Sequence, residues 1–213
     1  MGTLLIRLQA PMQSWGVSSH FTDRDTGREP SKSGVIGLIC AALGRPRDAD
    51  ISDLASLKMG VRVDREGVLQ KDFHIAQDIF LSSGQGTKDS EISNRYYLAD
   101  AAFLVGLEGS KELLREIYDG LKSPHWTLYL GRKAFPPARP VWLKDGLRDE
   151  PLQEALQHFP SLIPNPAEKF RLVLESDDGE FVRTDVPINF DTRRFSSRRI
   201  HLMQIDSPPY QEV

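Results

Sequence analysis

Cysteine is nearly missing from this chain. A single one, Cys40, stands among 213 residues, which excludes an internal disulfide and any cysteine-rich zinc site. Long apolar runs are missing too. The longest near-apolar stretch, Val35 to Leu43, falls far short of the ~20 residues that a membrane-spanning helix needs. Met1-Gly2-Thr3-Leu4-Leu5-Ile6-Arg7 lacks a basic leading region and a cleavage site, so no secretory signal is expected and the cytoplasm is the expected compartment. The G-x-x-x-x-G-K-[ST] loop of nucleotide hydrolysis does not occur. His20, His74, His125, His158 and His201 are scattered, with no pair at H-E-x-x-H spacing. No internal repeat is found. Nor is there an excess of positive charge: 27 Lys and Arg against 30 Asp and Glu leave a net charge of -3. That argues against a protein that coats nucleic acid non-specifically, because such binding scales with the phosphates neutralised.

What charge there is lies unevenly. Arg193, Arg194, Arg198 and Arg199 fall in one short stretch, while acid gathers at Asp48–Asp53, Asp145–Glu154 and Glu175–Glu180. A local basic site on an acidic body fits a defined partner. A mean hydropathy of -0.37 with 39% apolar residues fits a globular chain of one large domain, or one with a smaller appendage.

The periodicity gives an element order. Residues 3–9 read as a strand and 17–31 as a long polar loop, a kind that is usually functional or mobile. Ser33 is the expected cap of a helix to Leu43, stopped by Gly44 and Pro46. That helix is apolar almost all round and should be buried. Gly34 and Gly37 would let another backbone approach it. A short helix near Ser52–Leu57 precedes an alternating strand from Met59 to Arg65, a turn at Glu66-Gly67, and Val68 to Gln77 as its return strand. Residues 81–95 carry Ser, Gly, Thr, Asn and charge with no apolar period, and read as an extended hairpin or arm with a mobile tip, not a linker between domains. Ala99–Leu107 reads as a strand, then Ser110 caps a helix with one apolar face: Leu113, Leu114, Ile117, Tyr118 and Leu121. Glu112 and Lys122 suit its dipole, and Pro124 stops it. Val141–Leu143 is a short strand, Asp149–Phe159 a helix, and Lys169–Glu175 and Arg199–Ile205 late strands. The order predicts an α+β fold with helices against an antiparallel sheet.

Several segments carry candidate chemistry. Lys32, Ser33 and Gly34 open a helix, and backbone N–H groups, a hydroxyl and a cation there suit a phosphate. The same residues make an ordinary cap with a solvated lysine. Gln13 and Ser14 suit base edges or ribose, and Trp15 offers a stacking face, or it anchors its loop on the core. In Tyr129-Leu130-Gly131-Arg132-Lys133, a glycine between an aromatic and two cations brings backbone and charge to a phosphate together, or it is a bend with surface cations. Arg193 to Arg199, with Phe195 interleaved, suits a single-strand path, or a solvated edge. Arg24, Arg28 and Arg95 lie in segments expected to be mobile. Lys32, Arg132, Arg198 and Arg199 are expected to converge on one surface, since an acidic chain holds RNA only by gathering its cations. A metal-free ribonuclease needs a base, an acid and a cation at one phosphodiester. His74, Tyr96 or Tyr97, and Lys133 supply those types, as many chains of this length would. Cys40 belongs to the core.

Pro11–Gly16, Pro30–Gly34, Tyr129–Lys133 and Ser196–Arg199 follow one another across nearly the whole chain. In order and spacing they resemble the CasD family, the type I-E Cascade subunits of the RAMP superfamily that cap the 5′ end of CRISPR RNA. The resemblance implies a ferredoxin-like, RRM-related antiparallel sheet with packed helices, a β-hairpin thumb over about 73–98, and a smaller C-terminal β-rich region. It implies an RNA-binding domain over 1–140 and a packed C-terminal region over 141–213. The RNA-binding set is then Gln13, Ser14, Trp15, Arg28, Lys32, Ser33, Gly34, Arg95, Tyr129, Arg132, Lys133, Arg198 and Arg199. It implies the crRNA 5′ handle, the CasC backbone subunit and the large CasA subunit as partners, with target DNA met only through the complex. No cofactor, metal or catalytic residue is implied, because CasE cleaves the precursor in those systems. The alternative is a metal-independent endoribonuclease, as in the related type I-C proteins, which use Tyr, Lys and His. No adjacent Lys-His pair occurs here, and Asn94-Arg95 with Tyr97–Phe103 looks like the I-E branch.

Overall fold

The computed structural model describes residues 1–17, 22–81 and 83–211. Residues 18–21 of the expected loop, with His20, lie outside the described residues, as does Ser82 of the expected arm.

The chain opens with β1 (Gly2–Gln9), β2 (Met12–Gln13) and β3 (Asp23–Arg24), then α1 (Lys32–Leu43) and the short α2 (Ser52–Ala55). Next come β4 (Lys58–Arg65), β5 (Val68–Phe80), β6 (Thr87–Ala99), β7 (Ala102–Gly109) and α3 (Lys111–Lys122). The last third holds β8 (Trp142–Arg148), α4 (Leu152–His158), β9 (Lys169–Glu175), β10 (Phe181–Asn189) and β11 (Arg194–Asp206). A seven-stranded antiparallel sheet runs β10-β11-β9-β4-β7-β1-β8.

β1 lies inside this sheet, paired from Gly2↔Gly109 to Gln9↔Ala102 with β7. Both its faces are covered. Leu4, Ile6 and Leu8 join the core formed with α1 and α3, while Leu5 joins a second core with α4. This double burial explains why the strand reads as an apolar run rather than an alternation. On β4, Arg62 and Asp64 face α4. They are fully buried and joined by bonds of 2.7 and 2.9 Å, and Arg62 also donates to the carbonyls of Leu156, Phe159 and Pro160 at the end of α4.

α1 is buried nearly all round, as its composition requires. Its cap, however, is Ser31 rather than Ser33. Ser31 is extended (φ -75, ψ 149) after Pro30 and its Oγ accepts from the Gly34 N–H. The helix therefore starts two residues early, because the Lys32 N–H finds a carboxylate from β10, Asp185, at 2.8 Å. Gly44 in the left-handed region closes the helix. α3 follows expectation, with Ser110 accepting from Leu113 N and Leu114, Ile117, Tyr118 and Leu121 buried.

The strand after Gly67 is corrected. β5 does not return along β4, whose two edges are taken by β7 and β9. It pairs with β6 instead, from Val68↔Ala99 to Phe80↔Thr87. The other edge of β6 carries β2 and β3, which makes a separate four-stranded sheet. The strand expected from Ala99 is split at Asp100, where φ is +56. β10 was not legible, because Pro187 and alternating charge disguise a strand that lies at the sheet edge, where a proline is tolerated.

Candidate nucleic-acid interface

The start of α1 was expected to hold an anion, and it does hold one of the protein's own. Asp185 Oδ2 accepts the Lys32 N–H at 2.8 Å. The Lys32 side chain is 2% exposed and its Nζ lies 2.9 Å from Glu175. Arg198 grips Asp185 through bonds of 2.7 and 3.0 Å and reaches Glu175 at 3.3 Å. Two cations and two carboxylates thus balance inside the protein, tying α1 to β9, β10 and β11. Burial lowers the Lys32 pKa and Glu175 only partly restores it. Burial also opposes the Arg198 charge, but Asp185 and Glu175 outweigh it and its pKa is raised. The expected convergence of Lys32, Arg132, Arg198 and Arg199 on one RNA-facing surface is corrected here. Lys32 and Arg198 converge on carboxylates, not on solvent. Arg199 is exposed on β11 and donates to Gly179 O at 2.8 Å.

Gln13, Ser14 and Trp15 are also turned inward. Gln13 donates to the carbonyls of Leu8 and Ala101, and its Oε1 accepts from the Trp15 indole at 3.2 Å. Trp15 is 2% exposed. The reading of Trp15 as a free stacking face is corrected: the indole is a wall of the core. Its ring lies so close to Gly34 that a Cβ there would meet Trp15 Cε3 at 2.9 Å. The close approach at Gly34 is made by this ring, not by another backbone. Ser14 donates its hydroxyl towards the carbonyls of Asp25 and Tyr96.

These buried residues frame an open cavity of about 300 Å³, lined in part by Ser33, Gly34, Arg24, Gly131 and Arg132. Gly131 is required in its wall. Its φ is +91, and a Cβ would lie 1.7 Å from Ser14 O. The turn it makes delivers Arg132, whose Nη2 donates to Tyr96 O at 2.8 Å and Arg24 O at 3.2 Å. Burial, then the charges of Arg95 and Arg24, hold the Arg132 pKa below its ordinary value, and Asp72 and Asp25 offset this only in part. Among the described residues none of Arg24, Arg95 and Arg132 has a carboxylate partner at ion-pair distance. Three crowded cations, with Asp25 and Asp72 near them but not at ion-pair distance, make this wall the candidate anion site.

Comparison with known proteins decides the family. The sequence pattern of the family described as CRISPR-associated protein (Cas5) matches residues 3–207. The chain belongs to the Cas5 family. It is 32% identical over 176 residues to the CRISPR system Cascade subunit CasD of Escherichia coli (strain K12), with 74% of this chain and 77% of that protein covered. A crystal structure of a Cas protein superposes with a TM-score of 0.83 at 46% identity, over 98% of each chain. A chain of a CRISPR RNA-guided surveillance complex superposes with a TM-score of 0.85 at 35% identity, over 98% of this chain and 91% of that one.

In this Cas5-family protein the remaining candidates disperse. Arg28 and Lys133 are exposed, and Arg95 is half-buried on β6. Tyr129 lines a second cavity that adjoins the first. On the β5–β6 hairpin, His74 pairs across with Ser93, and Tyr96 pairs with Lys71. Because side chains alternate along a strand, His74 and Tyr96 point to opposite faces. Tyr97 shares the face of His74 but packs on Phe135, with ring centroids 5.9 Å apart. The Cys40 thiol also lines the second cavity, and burial pushes its pKa up to about 11, so it is no nucleophile at neutral pH. Phe190, Trp126, Arg45 and Arg47 were missed. They come from loops and strand ends that carry no periodic signal, and only tertiary contact brings them to α1. Trp126 is seated there by its N–H to Ala41 O at 3.0 Å.

Proposed function

We propose that this protein is the non-catalytic subunit of a type I-E Cascade that binds the 5′ handle of the crRNA and joins the CasC backbone to the large CasA subunit. The carrying observation is the crowded Arg24, Arg95 and Arg132 cluster beside the Gly131 turn, in which the burial and repulsion that lower the Arg132 pKa exceed the pull of Asp72 and Asp25. Phosphate contacts of this kind position an RNA without reading it. The likeness to a Cascade subunit CasD supports the choice of partner. The connection β1-α1-β4-β7-α3-β8, with spatial order β4-β7-β1-β8, supports the ferredoxin-like reading of the fold. In this reading residues 1–140 contact RNA, the hairpin over 73–98 is the thumb, and 141–213 brace them through the Asp185–Arg198 and Glu175–Lys32 pairs. The phosphate-facing set becomes Arg24, Arg95, Arg132, Ser33 and Gly34, with Arg28 and Lys133 at its margin. Gln13, Trp15, Lys32 and Arg198 act beneath it as framework.

The test is RNA binding by the protein assembled with its partner subunits, measured over a salt series. Arg132→Ala is expected to weaken binding and reduce the magnitude of the salt slope by about one. An unchanged slope would remove Arg132 from the phosphate path. Incubation of the pure protein with repeat RNA is expected to give no discrete cut. A specific metal-independent product, abolished by His74→Ala, would favour the endoribonuclease instead.

A further inference from the structure

Past the cationic end, the groove opens into its second cavity, of about 610 Å³, which shares Ser33, Gly34, Gly131, Phe190 and Phe195 with the first. That size suits a ligand fragment rather than a helix or strand. The floor is the flank of α1 that carries Gly34, Gly37 and Ala41. These small residues leave room above the helix, and Phe190 closes one side, its Cζ 3.7 Å from the position of a Gly37 Cβ. The other walls are also aromatic. Trp126 is 46% and Phe195 37% exposed, so both leave aromatic surface open at this cavity.

The rim is cationic. Arg45 is already committed to Asp53 through two bonds of 2.7 Å. Arg47 and Arg193 have no carboxylate partner among the described residues. Cations therefore line both cavities of this aromatic groove: Arg24 and Arg132 the first, where Asp25 also lies, and Arg45, Arg47 and Arg193 the second. Cations along both cavities beside open π-faces are complementary to a base and its flanking phosphates. An apolar side chain from a protein partner would fill the slot without using these cations.

We propose that this cavity receives one unstacked base of the bound RNA strand, with Phe195 and Trp126 as its stacking faces and Arg132 and Arg193 on the flanking phosphates. The proposal deepens the RNA-binding reading above and rests on it. It adds a position in the RNA at which a base, not only a backbone, contributes to binding.

The RNA that accompanies the assembled complex can be sequenced, resynthesised and given one abasic nucleotide at each position of its 5′ segment in turn. One position is expected at which loss of the base weakens binding about ten-fold, the scale of a single base–aromatic stack. Phe195→Ala is expected to weaken the intact RNA by a similar factor and to leave the binding of that one abasic RNA unchanged. Phe195→Leu, which keeps an apolar side chain but loses the flat face, should behave the same way. Arg132→Ala should weaken the intact and abasic RNAs equally. Insensitivity to every abasic position, or equal losses for both RNAs on Phe195→Ala, would overturn the base slot while leaving RNA binding intact. Loss of a partner subunit from the complex with unchanged RNA affinity in Trp126→Ala and Phe195→Ala would assign the cavity to a protein instead and also overturn it. Absence of RNA binding by the wild-type complex would remove the underlying reading, and the slot with it.

Discussion

At the scale of single residues, like charges do opposite jobs. Lys32 and Arg132 both read as phosphate ligands, yet one is enclosed by Glu175 and the other crowds against Arg24 and Arg95. Lys32→Met is expected to destabilise the fold by roughly 3 kcal/mol, because it leaves Glu175 with Arg198 alone in a largely buried site. Denaturant unfolding measures this. A Lys32→Met protein of wild-type stability that no longer held RNA would return Lys32 to the phosphate path. Gly131→Ala is expected to fail in both respects. Its φ of +91 and the 1.7 Å approach to Ser14 O force the turn to move, at a cost of roughly 2 kcal/mol, and Arg132 moves with it. Unfolding and RNA titration of the same variant should therefore shift together. A Gly131→Ala protein with normal stability and normal RNA affinity would mean that the turn tolerates a side chain.

At the scale of elements, α1 organises the site through its two ends. Its start is held by Asp185 across 153 positions of sequence. Its end is held by Gly44 and by the Arg45–Asp53 clamp, which fixes the turn into α2. Hydrogen bonding to Arg45 keeps the Asp53 carboxyl below its ordinary value of 3.8. A carboxyl depressed by folding contributes stability above its unfolded pKa and loses it as pH falls through its folded one. Both groups are partly solvated, which limits this to about 1 kcal/mol or less. Asp53→Asn is thus expected to be slightly less stable than the wild type at neutral pH. The gap should close as the solution is acidified below 3.8. Denaturant midpoints over a pH series test it. A gap that persists under acid would mean that packing, not ionisation, carries the effect.

At the scale of the whole molecule, two sheets divide the work. The seven-stranded sheet is packed by helices on both faces. The hairpin of β5 and β6 leaves Leu69, Phe73, Ile75 and Ile92 about half exposed or more. Its register sets these on one face, while Asp72, His74 and Arg95 occupy the other. The apolar face of an arm that covers little by itself is expected to be covered in an assembly. Hydrogen exchange over 87–95 should be fast in the isolated protein and slow in the assembled particle. Equal protection in both states would refute the role of this hairpin as a thumb.

Local pattern was enough for much of this protein. The buried first strand, the all-round apolar helix ending at Gly44, the capped amphipathic α3 and the polar arm depend on neighbours within a few residues, and such features are written in composition and period. The Tyr129–Lys133 turn was legible for the same reason, since Gly131 must take a backbone angle that only glycine adopts easily. Partner choice was not legible. Whether a lysine meets a phosphate or a glutamate depends on which strands arrive beside it, and Glu175, Asp185 and Arg198 reach Lys32 only when β9, β10 and β11 join the far side of the sheet. Trp15 and Trp126 make the same point in reverse. Both are amphipathic by chemistry, and only the packing of α1 against each buries the first and leaves the second half open to solvent.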